Sequence, residues 1–323
     1  MTPAAPRLSA RQAGRYEASG VGAPQKVPDG HWLVPTDGGA YLVILDADLR
    51  PIWHFDMPEG HWPGRHAVSR DLDLVALSRR SEVRLLAGDG SEIQRFPHPP
   101  WGRGGSKSGA VAFGQDGRTL WAFVTTERDG DELLLIDLPS RAIVDRVLTS
   151  TSAEGVEQIT QPDGPWMGWS VGEGQDGALV LWSRRDGDNL VLRRYQDDTR
   201  ILVDISSEGT EYLTMPHSGE LLQRHRLDDD RVLAEAGPPE QEDDELSWAF
   251  SAAYASPERI LATAYGEEGE EATYLLDRAS LAVLGLVDYS TDGPGWLAGA
   301  SEGAWLTADS DGVRRWTLRA VQD

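Results

Sequence analysis

Cysteine is absent from this 323-residue chain, and lysine and asparagine nearly so: Lys26, Lys107 and Asn189 are the only examples. Without cysteine there are no disulfides, no thiolate metal sites and no cysteine nucleophile. No stretch approaches the roughly 18 apolar residues of a membrane-spanning helix. The segment Met1 to Gly20 carries Arg7, Arg11 and Arg15 but no apolar run. No secretory leader is therefore expected, and the cytoplasm is the expected location. Basic groups are few, 30 against 53 acids, for a formal charge of −23. Nucleic acids and anionic membranes are held by lysine and arginine, so this surface is expected to repel both.

What the chain has in plenty is glycine (35), tryptophan (12) and one recurring turn. It reads Pro28-Asp29-Gly30-His31-Trp32-Leu33, then Arg70-Asp71-Leu72-Asp73-Leu74, then Gln115-Asp116-Gly117-Arg118-Thr119-Leu120-Trp121. It returns as Pro162-Asp163-Gly164-Pro165-Trp166-Met167 and Ser207-Glu208-Gly209-Thr210-Glu211-Tyr212. The last two copies are Ser256-Pro257-Glu258-Arg259-Ile260-Leu261 and Ser301-Glu302-Gly303-Ala304-Trp305-Leu306. Anchored on Gly30, Leu72, Gly117, Gly164, Gly209, Glu258 and Gly303, the steps are 42, 45, 47, 45, 49 and 45 residues. Short apolar runs around a turn, repeated at that period, predict an all-β, seven-bladed propeller of four-stranded antiparallel blades.

The expected blades run over 25–58, 65–97, 109–149, 156–196, 201–236, 248–289 and 293–319, in one domain spanning residues 1–323. In the third, Ala110–Phe113, Thr119–Val124, Leu133–Asp137 and Ile143–Leu148 read as strands. The last unit holds only three, while Arg15–Ser19 stands unpartnered at the other end of the chain. Residues 14–19 are expected to supply the missing outer strand, which would close the ring and remove its open edge.

Units of the form Pro-Asp-Gly followed by Leu or Trp, each after an apolar strand, resemble WD40 and YVTN-type seven-bladed propellers over essentially the whole chain. No unit ends in Trp-Asp, and Gly-His pairs occur only at Gly30-His31 and Gly60-His61. The resemblance implies a rigid scaffold whose loops bind a protein or peptide.

Function is expected on the loops. The two richest blade-to-blade connections hold His61, Trp62, Arg65 and His66, then His98, Trp101, Arg103 and Lys107. Trp62, Trp101, Arg103, Lys107, Glu173, Glu242, Asp243, Asp244 and Trp248 are the candidate binding residues. The acidic run from Glu240 to Glu245 would meet the lysines or arginines of a basic partner. The favoured reading is a noncatalytic, monomeric platform for such a protein or peptide. Alternatives are a small-molecule or ion sensor, or a lyase, cyclase or hydrolase working in a central pocket. The enzyme would use His61, His66 or His217 as base and Arg65 or Lys107 to stabilise an anion. The same imidazoles with Glu157 or Glu173 could bind zinc or iron, but no tight His spacing is present, so no metal or other cofactor is expected. Gly168-Trp169-Ser170-Val171-Gly172 matches the hydrolase elbow G-x-S-x-G. It falls within an expected strand with no helix after it, so the strained turn that exposes such a serine is missing.

Overall fold

A period-two apolar strand has two faces to bury, and radial stacking of small sheets gives each face a partner. The computed structural model describes residues 5–27, 30–58, 65–102, 109–127, 130–174, 177–195, 199–240, 246–266, 269–289, 296–300 and 303–319. The chain begins with β1 (Arg7–Glu17). Blade one is β2 (Gln25–Val27), β3 (His31–Thr36), β4 (Tyr41–Leu45) and β5 (Pro51–Asp56). Blade two is β6 (His66–Val68), β7 (Leu74–Ser78), β8 (Glu82–Ala87) and β9 (Glu92–Pro97). Blade three is β10 (Ala110–Phe113), β11 (Thr119–Thr125), β12 (Asp131–Asp137) and β13 (Ala142–Leu148). Blade four is β14 (Gly155–Thr160), β15 (Trp166–Gly172), β16 (Ala178–Asp186) and β17 (Asn189–Arg194). Blade five is β18 (Arg200–Ile205), β19 (Glu211–Pro216), β20 (Leu222–Arg226) and β21 (Val232–Ala236). Blade six is β22 (Ser247–Ser256), β23 (Arg259–Tyr265), β24 (Glu271–Asp277) and β25 (Val283–Asp288). Blade seven is β26 (Leu297–Gly299), β27 (Trp305–Asp309) and β28 (Gly312–Leu318), completed by β1.

Each copy of the recurring turn joins the first and second strands of a blade. Tight hairpin turns need left-handed backbone, which glycine adopts without strain. Gly30, Gly117, Gly209 and Gly303 meet that need with φ between +61° and +75°. In the second and fourth copies Leu72 (φ +59°) and Asp163 (φ +50°) take the left-handed position instead.

Among the described residues seven hydrophobic clusters form, and each joins two neighbouring blades. One of them packs Leu306, Ala308 and Val313 of blade seven against Trp32, Val34 and Leu45 of blade one, so the ring is shut. Tryptophan fills several seams: Trp121 and Trp169 between blades three and four, Trp182 between four and five, Trp305 and Trp316 between six and seven. Such rings each bury a large apolar area, worth roughly 25 cal/mol per Å² removed from water.

The closing strand comes from the N-terminus, as expected, but it is longer and begins earlier than residues 14–19. Ala10 to Glu17 runs antiparallel to β28, pairing Ala10 with Leu318 and Glu17 with Gly312. Its first residues, Arg7 to Ser9, turn to the next blade and run parallel to Leu286–Asp288 of β25. Gly285 permits that approach, because a Cβ there would stand 2.6 Å from the Pro6 carbonyl oxygen. Blades six and seven therefore share one eight-stranded sheet.

Candidate functional site

The propeller has two faces. One carries the turns between second and third strands and the blade-to-blade connections; we call it the connector face. The other, the turn face, carries the turns between first and second and between third and fourth strands.

On the connector side, the inner strands send polar side chains across the axis. Arg65, just ahead of β6, donates from Nη2 to Glu157 Oε1 on β14 at 2.6 Å. One residue on, Gln158 Nε2 donates to Gln25 Oε1 of blade one at 3.5 Å. Further along, a bulge between Leu202 and Asp204 re-aims β18. Asp204 Oδ2 accepts from the Tyr254 backbone N–H at 2.8 Å. Burial pushes the Asp204 carboxyl up to about 6, with Lys26 of blade one and the Tyr254 and Ile205 N–H groups pulling the other way.

The remaining candidates are dispersed. His66 is buried on β6 of blade two, whereas His217 is exposed in the β19–β20 turn of blade five, its ring 5.9 Å from that of Phe250. Trp101 (3% exposed) and Trp248 (0%) bury their indoles in the seams instead of presenting them to solvent. Trp248 Nε1 donates to the Ala236 carbonyl at 3.1 Å. Glu173 Oε1 accepts the Ser152 N–H at 2.7 Å, tying a blade-four turn to the connection that enters the blade. His61, Trp62, Arg103, Lys107, Glu242, Asp243 and Asp244 lie outside the described residues. Among the described residues no three His, Asp or Glu side chains gather as a metal-ligand set. Ser170 is a seam residue, its Oγ accepting the Leu202 N–H at 3.1 Å.

A cleft of about 480 Å³ opens on the turn face between blades three and four. The third and fourth copies of the recurring turn form its walls, with Asp116, Arg118 and Trp121 on one and Pro165, Trp166 and Met167 on the other. Arg185, at the end of β16, and Asp188, in the β16–β17 turn, close the outer end. Asp116 shapes its own turn: Oδ1 accepts the Arg118 and Thr119 N–H groups at 2.9 Å and Oδ2 accepts the Thr119 hydroxyl at 2.7 Å. The Arg118 Nε–H donates to Asp137 Oδ1 at 2.7 Å, and Arg185 Nη2 reaches the same oxygen at 3.0 Å. Hydrogen bonds from Arg118, Ser140 and Arg185 hold the Asp137 carboxyl far below the usual carboxylate range. Trp166 carries Arg193 over its ring at 4.4 Å and Arg184 at 5.3 Å. The cleft thus combines aromatic walls, fixed guanidinium groups and carboxylates near neutral local charge, the composition of a binding site. Sequence reasoning took these residues for hairpin punctuation. The available signal was a tryptophan just inside the turn in two successive units, at Trp121 and Trp166.

No protein-family model matches the chain, and no curated protein matches it significantly. Among solved structures, the β-propeller domain of Cps50 (Swd1) from Myceliophteria thermophila is similar, with a TM-score of 0.64 at 10% sequence identity. The match covers 96% of this chain and 100% of that one. At that identity the likeness is one of fold, and it agrees with the ring of four-stranded blades: the chain has a β-propeller fold.

Proposed function

We propose that the protein is a noncatalytic platform that binds a protein or peptide, basic in overall character. The turn-face cleft carries this reading, since a rigid scaffold holds aromatic and hydrogen-bonding groups open there at a scale suited to a side chain and its flanking backbone. Charge supports the choice of partner. Many described arginines are engaged within the fold: Arg118 and Arg185 with Asp137, Arg200 with Asp230, Arg226 with Asp229, Arg278 with Glu208 and Glu211. With 53 acids against 30 bases, acid prevails on what remains, and electrostatic steering then favours a cationic surface.

The test is an array of immobilised peptides graded from polyacidic to polybasic, probed with the intact protein at several salt concentrations. Basic peptides should be retained, with affinity falling as salt rises. Retention that ignores peptide charge, or none on any peptide, would refute the reading.

A further inference from the structure

We propose that the rim of blade six is a docking edge for an extended segment of a partner, a basic residue followed by an aliphatic one, and that the chain's own Arg7–Ser9 occupies it as an exchangeable stopper. This adds a second site to the platform reading and does not depend on the turn-face cleft. The outer strands β5, β9, β13, β17 and β21 each end a four-stranded sheet. Among the described residues β25 alone carries a further strand, the parallel run Arg7–Ser9 in register with Leu286–Asp288. It is also the only one of these six outer strands that contains a glycine. Glycine inside a strand marks the close approach of another backbone. Here the Pro6 carbonyl accepts the Leu286 N–H at 2.8 Å, and the Leu8 side chain lies against the bare Cα of Gly285. Leu8 also packs on the cluster that holds Val287. Arg7 Nη1 stands 3.8 Å from Asp288 Oδ2. These are the parts of a strand-addition site: main-chain groups supply affinity, while an apolar seat and a carboxylate select side chains.

The resident segment is held lightly. Three residues pair, and the ion pair is open to water at both ends, 74% and 53% exposed, so it contributes little. Arg7 and Ser9 face solvent. Pro6 has no N–H to offer the edge, whereas an incoming segment with any other residue there has a further donor. The ladder to β28 starts at Ala10, so Arg7–Ser9 can leave without opening the ring. Exchange with β1 of a second copy would forfeit that ladder as well, which favours a partner's peptide. The excess of acids, 53 against 30 bases, favours a basic one.

The experiment titrates full-length protein against the fluorescein-labelled synthetic peptide Ala-Ala-Arg-Leu-Ser-Ala and reads fluorescence anisotropy. Arg7→Glu with Leu8→Ser, which loosens the resident segment, should bind the peptide roughly tenfold or more tightly than the wild type, because more of the edge stands open. Ser9→Cys with Asp288→Cys puts thiols on register partners in a chain with no other cysteine. Oxidised to a disulfide, that form should lose the peptide, and reduction should restore binding. Replacing the peptide's Arg by Glu should weaken binding several-fold, most at low salt. Should the loosened variant melt, the Cys pair decides, since its two forms share one fold. Equal affinity in the oxidised and reduced forms, or no binding to the reduced form and the loosened variant alike, overturns the docking edge. Equal affinity for the Arg and Glu peptides overturns the basic partner. All of these outcomes leave the cleft untouched, whose reading fails separately on the immobilised peptide array.

Discussion

The blade that closes the ring and blade five are held together by opposite means. At the closing seam, β1 lies against β28 through a main-chain ladder from Ala10 to Glu17, with little apolar sequence of its own. Across the four strands of blade five, side chains do the holding. Arg200 (3% exposed) makes two 2.9 Å bonds to Asp230, and Tyr212 donates its hydroxyl to the same carboxylate. His225, stacked on Tyr212, places Nε2 2.9 Å from Thr214 Oγ1. Burial alone would raise the Asp230 carboxyl, but hydrogen bonds from His225, Arg200 and Tyr212 hold it well below the usual range. Burial and the Asp230 charge together push the Tyr212 phenol far up. A backbone ladder tolerates side-chain change but not loss of the strand; a buried ion network tolerates neither a missing partner nor water.

That contrast can be broken from either side. Removing residues 1–17 deletes the ladder and exposes β28 as an edge, and should lower the melting temperature by roughly 10 °C or more, the largest shift of the set. A truncated chain that melts like the whole would show that the ring closes without its clasp. Inside blade five, Arg200→Met leaves a buried carboxylate, phenol and imidazole around an absent cation and should cost about 3–5 kcal/mol in denaturant melts. Arg200→Met with Asp230→Leu should recover part of it; equal losses for single and double variants would mean that packing, not charge, holds this blade.

Asp204 offers a pH axis. Its carboxyl stands at about 6 in the fold against 3.8 ordinarily, so between those values the folded chain binds the extra proton. Its contribution therefore declines as pH rises from about 4 to 6 and is level above that, by about 3 kcal/mol at most. Asp204→Asn should match the wild type near pH 4 and exceed it in stability at pH 8. A constant difference across that range would place the titration elsewhere. The smallest effect is expected of Ser170→Ala, which leaves the Leu202 N–H without its acceptor and should cost about 1 kcal/mol, with no change in the melting of a chain already lacking residues 1–17 beyond that amount.

Most of the architecture was readable because it rests on local signals. The third blade's expected strands fall within two residues of β10 to β13, since Leu133, Leu135, Phe123 and Trp121 alternate into one seam while Leu134, Ile136 and Leu120 fill the other. The start of β1 was hidden: Leu8, Ala10 and Tyr16 are its only apolar side chains that pack inward, and a ladder of main-chain bonds leaves no mark in composition. The candidate site was less legible still. Trp101 and Trp248 looked like exposed loop aromatics, yet each completes a seam from the end of a connection. The cleft needs the turns carrying Asp116 and Pro165 to stand side by side, and that adjacency belongs to the curvature of the ring.

The clasp also constrains how the protein is made. Arg7 to Glu17 are synthesised long before their partners Gly312 to Leu318. Until then both ends display unpaired backbone, and no partial chain can shut the circle. Completion waits on a contact that spans all seven blades, the kind of pairing that slows folding and rewards protection of the nascent strand.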